Sequence, residues 1–372
     1  QLMKLITSLK ELLGSEHLRF ELIKTELLEV KEKFGDERKS EIQYLADEMR
    51  IEDLIEEEDV VITISHLGYI KRTSATEYRQ QKRGGRGAIG SKTREEDYVE
   101  HLFIASTHDT MLFFTEKGRC FWMRVYEIPE GEKTSKGRAI QNLIQLPQDD
   151  KVKAYVKVQD LTDKEYVDNN FIVMCTKQGV IKKTSLEAYS RPRSNGINAI
   201  GIRENDELLE AKLTNGTNEI VLATASGRAI RFNESTVRPM GRNASGVRGI
   251  RLKDSKDVVV GMISVNDMDA NILVVSENGY GKKTLHNDYR VTNRGGKGII
   301  GIVNSPRNGN ISSSFPVLEG DEVMISTNKG RVIRVAVKEI RTAGRNTQGV
   351  RIIKLSGDEK VVSAIKIDDN LE

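Results

Sequence analysis

A tight turn of the form Ser/Thr-x-x-Gly follows an apolar run six times between residues 60 and 372, and this repeat constrains the fold more than any other feature. The glycines of successive turns lie 50, 61, 48, 52 and 51 residues apart. Repeats of this length that contain several short strands are typical of propeller-like arrays. The six turns are Ser65–Gly68, Thr115–Gly118, Thr176–Gly179, Thr224–Gly227, Ser276–Gly279 and Thr327–Gly330.

A second glycine follows each turn glycine at a nearly constant distance, which is 19 residues in five units and 17 in the third. We expect the first glycine to allow a positive φ in a hairpin turn, and the second to allow a sharp corner or a close backbone approach. The pattern predicts an all-β fold, a propeller-like disc of six four-stranded blades preceded by a short α-helical segment. The second glycines are Gly87, Gly137, Gly196, Gly246, Gly298 and Gly349.

The first part of the chain has helical character. Apolar residues at three- and four-residue intervals predict an amphipathic helix over residues 16–34, with Ser15 as its N-cap and Gly35 at its end. Residues 2–13 are interpreted as the end of a preceding helix. Because such a small helical piece cannot bury its apolar face alone, and because the sequence does not begin with methionine, we expect a fragment of a longer cytosolic protein.

Charge is divided unevenly along the chain. Residues 1–59 contain 9 Lys and Arg against 17 Asp and Glu, with an acidic connector over residues 47–59. Residues 60–372 contain 49 Lys and Arg against 38 Asp and Glu. A basic body after an acidic start indicates a polyanionic partner for the body.

Several classes of function are excluded by the sequence. No run approaches the ~20 apolar residues of a membrane helix, and the five histidines show no metal-ligand spacing, so no metal site is expected. Cys120 and Cys175 lie in apolar runs and are expected to be buried thiols. The pattern G-x-G-x-x-G occurs at residues 85–90 and 296–301, but no helical pattern follows either copy, and there is no Walker A loop. We therefore expect no cofactor in this chain.

Basic residues recur at fixed positions of the repeat, just after the first glycine and four residues before the second (three in the third unit). Equivalent positions of a disc occupy equivalent points, so we predict a ring of cations on one rim, with Lys182, Lys183, Lys282 and Lys283 exposed. A cationic ring with few aromatic residues (5 %) suits duplex phosphates better than stacked single-stranded bases. Little sequence preference is expected. The predicted rim residues are Lys71, Arg72, Arg119, Lys133, Lys182, Lys183, Arg193, Arg228, Arg231, Arg242, Lys282, Lys283, Arg294, Lys297, Arg331, Arg334 and Arg345.

One segment is similar to a motif of a known family. The run Gln81, Lys82, Arg83, Gly84, Gly85, Arg86, Gly87 matches the box Q-(R/K)-R-G-G-(R/K)-G of the bacterial DNA gyrase A family at every position. Residues 32–42 resemble the end of that family's breakage–reunion domain, and residues 66–73 resemble the first blade of its C-terminal domain. The resemblance covers essentially the whole chain. Later units keep only fragments of the box, of which residues 293–298 are the most complete.

The resemblance implies a six-bladed β-pinwheel whose neighbouring blades exchange strands and whose rim wraps duplex DNA, with the box among the DNA-binding residues. It divides the chain into the helical tail of the breakage–reunion and coiled-coil domain (1–42), an acidic linker (43–59) and the pinwheel (60–372).

The resemblance also implies an enzyme context. The family's enzyme is an ATP-hydrolysing type IIA topoisomerase of the cytoplasm, which introduces negative supercoils. ATP and Mg are bound on the partner gyrase B protein of an A2B2 heterotetramer. The family's nucleophilic tyrosine and its arginine partner precede Gln1, so no catalytic residue is expected in this chain.

Two other interpretations compete with this one. The corresponding domain of topoisomerase IV, a decatenase, usually has a degenerate box, whereas residues 81–87 are intact. A protein-binding β-propeller of the WD-repeat class would carry Trp-Asp in each blade, but the single tryptophan, Trp122, is followed by Met123. A propeller enzyme would need a cluster of histidines or paired carboxylates at one phase of the repeat, and the sequence has none. The sequence favours the wrapping domain of a gyrase A protein over these alternatives.

Overall fold

The computed structural model describes residues 1–36, 40, 51–75, 99–132, 135–265, 270–329 and 331–367. The chain forms two compact units, Gln1–Asp53 and Leu54–Glu372. Among the described residues, no helix is long and apolar enough to cross a membrane.

The first unit contains the two predicted helices, α1 (Leu2–Gly14) and α2 (Glu16–Phe34). Ser15 caps α2, since its hydroxyl oxygen accepts a hydrogen bond from the backbone N–H of Leu18 at 3.5 Å. Gly35 ends the helix with an extended backbone (φ −73°), so it does not adopt the left-handed conformation of a typical glycine stop. No side chain of either helix is buried.

The second unit is built from six antiparallel sheets, which confirms the predicted fold class. Apart from 3-10 turns and the short helix α3 (Lys164–Asn169), the regular elements among its described residues are strands. The strands are β1 (Asp59–Ser65), β2 (Tyr69–Ser74), β3 (Val99–Ser106), β4 (Thr110–Thr115), β5 (Arg119–Arg124), β6 (Arg138–Ala139), β7 (Val152–Val158), β8 (Phe171–Thr176), β9 (Val180–Ser185), β10 (Ile197–Asn198), β11 (Leu208–Thr214), β12 (Glu219–Thr224), β13 (Arg228–Asn233), β14 (Val247–Arg248), β15 (Val259–Val265), β16 (Asn271–Ser276), β17 (Tyr280–Leu285), β18 (Ile299–Ile300), β19 (Ile311–Val317), β20 (Glu322–Thr327), β21 (Val332–Ala336), β22 (Val350–Arg351) and β23 (Val361–Ile367).

Each of the first five sheets takes its short fourth strand from the following unit of the sequence. In blade one, for example, β6 pairs with β2 although it follows β4 and β5 along the chain. The sixth sheet has three strands among the described residues. The strand exchange implied by the family resemblance is thus confirmed. The sheet orders are β3-β1-β2-β6, β10-β5-β4-β7, β11-β8-β9-β14, β15-β12-β13-β18, β19-β16-β17-β22 and β21-β20-β23.

The described glycines of both series have positive φ, as their predicted roles require. Gly68 turns the hairpin between β1 and β2 with a φ of 80°. Gly137 stands directly before the exchanged strand β6 with a φ of 78°, and a Cβ there would lie 2.5 Å from the carbonyl oxygen of Ile70. The second glycine therefore lets the exchanged strand approach the preceding blade closely.

The buried apolar residues form five clusters, each between two successive blades. Between blades two and three, Leu112 and Phe114 pack with Met174 and Tyr189. The remaining clusters join blades one and two, three and four, four and five, and five and six. Both cysteines are buried in this core, as predicted, and burial raises the pKa of the Cys120 thiol.

Candidate nucleic-acid interface

The exchanged strands lie in segments that contain no acidic residue. We call them the rim segments and define each from four residues before the second glycine (three in the third unit) to five residues after it. Together they hold fifteen Lys and Arg and no Asp or Glu, although Asp and Glu make up 55 of the 372 residues. The rim segments are 83–92, 133–142, 193–201, 242–251, 294–303 and 345–354.

The rim segments of units three to six are joined by backbone hydrogen bonds. The N–H of Gly201 donates to the carbonyl of Ala244 at 3.1 Å, and the N–H of Gly295 donates to that of Gly249 at 2.6 Å. The N–H of Val303 donates to the carbonyl of Thr347 at 3.0 Å. These four segments therefore form one continuous band, and their positive charges follow one another along it.

The cations of this band are exposed or half-buried. Arg193 and Lys297 are exposed, whereas Arg242, Arg294 and Arg345 are half-buried. Two of the half-buried arginines tie neighbouring segments together. Arg294 Nη1 donates to the carbonyl of Arg248 at 3.3 Å, and Arg345 Nη1 donates to the carbonyl of Ile300 at 3.0 Å. These five cations are therefore accessible along the band, and their assignment as DNA-binding residues stays a prediction.

A second group of predicted rim cations lies elsewhere. Six of them, at the third and fourth residues after the hairpin glycine, are buried, with at most 5 % of their surface exposed. The predicted exposure of the two lysine pairs is wrong. After its 3-10 turn, the next unit runs parallel to this strand and covers it, as the bridge between Lys183 and Pro239 shows. The six residues are Lys71, Lys182, Lys183, Arg231, Lys282 and Lys283.

The fourth residue after the hairpin glycine donates to a backbone carbonyl at the next unit's 3-10 turn in each of the first five blades. The donor is a cation in four blades, and in blade two it is the indole Nε1 of Trp122. A position filled by both tryptophan and cations requires an N–H donor rather than a charge. The pairs are Arg72 to Ile128 (2.9 Å), Trp122 to Tyr189 (2.9 Å), Lys183 to Glu234 (3.1 Å), Arg231 to His286 (2.8 Å) and Lys283 to Val337 (3.2 Å).

Three further predicted rim residues directly follow the hairpin turns and reach rim segments. Arg119 donates to the carbonyls of Asn195 and Gly196, and Arg228 donates to that of Gly298 at 3.3 Å. Arg331 donates to the carbonyl of Lys354 at 3.2 Å. The side chains of these three arginines therefore hold the backbones of the rim segments. Arg334 is exposed and pairs with Glu322 of its own hairpin.

Lys133 and the box residues Gln81–Gly87 lie outside the described residues. Their assignment as DNA-binding residues stays a prediction.

Several exposed arginines at repeated positions were missed from the sequence. Arg238, Arg290 and Arg341 stand eight residues before the second glycines of their units, and all three are exposed. Arg290 lines a cavity of about 170 Å³ together with Lys297. Counting acidic residues by repeat position would have found the rim segments, since the signal is the absence of Asp and Glu as much as the presence of Arg.

The six sequence units match a known family model. The model is that of the DNA gyrase C-terminal domain, beta-propeller, and it matches residues 59–106, 109–154, 170–215, 218–266, 270–317 and 321–368. The chain belongs to the DNA gyrase C-terminal domain family. Each matched span covers all or part of the three long strands of one blade, and in the first five blades the exchanged fourth strand comes from the next span.

Curated relatives of this family member share sequence over its full length. It is 44 % identical over 375 residues to the DNA gyrase A protein of Staphylococcus epidermidis and covers 41 % of that protein. It is 44 % identical over 374 residues to the DNA gyrase A protein of Staphylococcus aureus and covers 42 % of that protein. The chain thus spans about two fifths of the length of these relatives.

Two solved structures have the same fold. A crystal structure of the C-terminal domain of DNA topoisomerase IV matches with a TM-score of 0.72 at 26 % identity, covering 84 % of this chain and 94 % of that one. A structure of the DNA gyrase A C-terminal domain matches with a TM-score of 0.65 at 24 % identity, covering 84 % and 100 %. The likeness shows that this chain shares the fold of these two C-terminal domains.

Proposed function

We propose that this chain binds duplex DNA without sequence preference and wraps it around the rim segments with a fixed handedness. The observation that carries the proposal is the band of rim segments in units three to six, which holds at least one arginine in each unit and no acidic residue. Protein contacts to phosphates fix position without reading sequence, and such a band offers phosphate contacts at regular intervals.

The positive charge of the band would offset the free energy of bending DNA. Duplex DNA carries one charge per ~1.7 Å of its axis, and bending 20–30 base pairs by 40–90° costs roughly 1–6 kcal/mol. Arginines that face the inner side of a curved duplex offset this cost without base contacts, as they do in nucleosomes. Stacking platforms for single strands need aromatic side chains, which make up only 5 % of the residues.

The enzyme context is part of the proposal. The curated relatives are gyrase A proteins, so we propose that the wrapped duplex enables ATP-dependent negative supercoiling by a cytoplasmic A2B2 enzyme. ATP and Mg would be held by the gyrase B protein, and the nucleophilic tyrosine would come from the part of the gyrase A protein that this chain does not span. This chain would then supply wrapping and no catalytic group.

A second candidate is the corresponding role in topoisomerase IV, a decatenase. The structural likeness to that enzyme's C-terminal domain favours it, whereas the intact box at residues 81–87 and the 44 % identity to gyrase A proteins favour gyrase. The two candidates differ in the reaction that the domain serves, which is negative supercoiling in one and decatenation in the other.

A topology assay tests the proposal. A nicked circular plasmid is incubated with the 372-residue chain, sealed by ligase and freed of protein, and its linking number is compared with that of plasmid sealed alone. We expect a linking difference of one sign that grows with protein concentration. Binding without any linking difference would contradict wrapping, and a sharp preference for one short sequence would contradict phosphate recognition.

The box is tested in the complete enzyme. Gln81–Gly87 are replaced by alanines in a full-length gyrase A protein that carries this chain, which is then assembled with its gyrase B partner. We expect negative supercoiling to be lost, while ATP-driven relaxation and decatenation persist because the cleavage chemistry lies elsewhere. Full supercoiling by the variant would remove the box from the proposed function.

A further inference from the structure

The residue three positions after the hairpin glycine alternates in character around the disc. In blades one, three and five it is lysine, and in blades two, four and six it is aromatic or aliphatic. In blades one to five, both types pack beneath the loop of the next unit that leads into its rim segment. The six residues, in blade order, are Lys71, Phe121, Lys182, Ile230, Lys282 and Ile333.

The lysines reach backbone carbonyls at the start of the next rim segment. Lys182 Nζ donates to the carbonyl of Arg242 at 2.5 Å and to that of Ala199 at 2.6 Å. Lys282 Nζ donates to the carbonyls of Gly344 and Arg345, both at 2.6 Å. In units four and six, the buried ammonium is therefore bonded to the backbone of the rim arginine itself.

This arrangement places like charges close together. Burial, with the charge of Arg242 as the second cause, lowers the pKa of Lys182 to about 8. Burial likewise lowers the pKa of Lys282 to about 8, with Arg345 as the next cause and Asp288 opposing it. The fold does not require a charge here, because Ile230 fills the equivalent position of blade four without one.

We propose that Lys182 and Lys282 are positioning residues that hold Arg242 and Arg345 in place for contact with a duplex phosphate. The proposal rests on the proposed function, in which the rim binds DNA. Two hydrogen bonds from a fixed ammonium restrict the loop more than an apolar contact does. A phosphate bound by the arginine would also offset the repulsion between the guanidinium and the buried ammonium. The positive charge of the lysine would therefore strengthen the binding of DNA.

A measurable consequence is proton uptake on binding. The phosphate raises the lysine pKa in the complex, so the duplex binds the protonated form more tightly, and affinity falls as pH rises through about 8. The charged groups facing Lys182 and Lys282 are Arg242, Arg345 and Asp288.

The experiment is a double-mutant cycle on the 372-residue chain with a fluorescent duplex of about 40 base pairs at constant salt. The variants are Lys282→Met, Arg345→Gln and both together, and the exposed rim lysine Lys354→Gln is the control. We expect Lys282→Met to lower affinity about fivefold at pH 7 and to lower it little when Arg345 is already Gln. It should also flatten the pH profile between 7 and 9.5. Lys354→Gln should weaken binding without changing the profile.

The outcomes separate this inference from the proposed function. If Arg345→Gln and Lys354→Gln weaken binding, but folded Lys282→Met keeps wild-type affinity and profile, the positioning role is wrong and the rim still binds DNA. If none of the variants affects binding, the proposed function fails. If Lys282→Met does not fold, the dependence of wild-type DNA affinity on pH tests the proposal instead. Equal affinity at pH 7 and pH 9.5 would contradict it. Lys282→Arg, which keeps charge and donors, should then retain affinity at both pH values.

Discussion

The basic residues of this disc form two groups that look alike in sequence and differ in what they contact. The strand cations (Lys71, Arg72, Lys182, Lys183, Arg231, Lys282 and Lys283) donate to backbone carbonyls of the next unit and are mostly buried. The rim-segment cations of units three to six are exposed or half-buried along a continuous band. Recurrence at one phase of a repeat therefore indicates a shared structural environment, which is a surface in one group and an interface between blades in the other.

The largest expected difference between the groups is in stability. Replacing Lys282 and Lys283 by alanine leaves the carbonyls of Gly344, Arg345 and Val337 without their donors, so the free energy of unfolding should fall by about 3–6 kcal/mol. Urea unfolding followed by circular dichroism measures the loss. This is a large part of the roughly 5–15 kcal/mol that stabilises a typical domain.

The matched control for this loss removes two positive charges from the rim instead. Arg248→Gln with Arg251→Gln changes the same net charge at two exposed positions and should cost about 0.5 kcal/mol or less per residue. Equal losses for the two double variants would show that burial does not distinguish the groups.

The sequence was sufficient for the fold because each unit repeats residues with a strict backbone requirement. Gly118 and Gly137 of one unit both need a positive φ, and their spacing fixes the hairpin and the exchanged strand. The strand cations were misassigned for a physical reason. Lys182 and Lys183 are consecutive, so they point to opposite faces of β9. Because both faces of this strand are covered, its sequence has no alternating pattern that would indicate a solvent-exposed face. Trp122 at the same phase was the available clue.

The second expected effect is a rise of stability with pH. The pKa of Lys182 and Lys282 is about 8 in the fold and 10.5 in the unfolded chain, so the unfolded state binds more protons between these values. Unfolding free energy should therefore rise from pH 8 to pH 10, by about 2–3 kcal/mol per lysine at most. The measurement is urea unfolding of wild type and of Lys182→Met with Lys282→Met over this range. Subtracting the variant removes contributions of other groups, and parallel curves would contradict the lowered pKa of the two buried lysines.

The third effect concerns the one strand donor that is not a cation. Trp122→Phe removes the hydrogen bond from Nε1 to the carbonyl of Tyr189 and should destabilise the chain by about 1–2 kcal/mol, with duplex affinity unchanged. Thermal unfolding and a binding titration measure the two quantities. Trp122→Arg installs the residue of blades one and four and should restore part of the loss. If Trp122→Phe weakened DNA binding without a loss of stability, this position would belong with the rim.

The smallest expected change in stability is at the exposed rim cations, whose substitution should instead weaken the binding of DNA. Lys297→Gln and Arg193→Gln should each shift the unfolding free energy by about 0.5 kcal/mol or less, because both side chains are exposed. In a plot of log affinity against log salt, each lost phosphate contact should reduce the slope by about 0.9. The loss should be similar for duplexes of different sequence, since a phosphate carries no base identity. If a variant keeps the full slope, the substituted side chain does not contact the DNA. If a variant changes the sequence preference, the substituted side chain contacts a base. Because the two residues lie in segments of units three and five, equal slope losses would also show that one duplex follows the band across several blades.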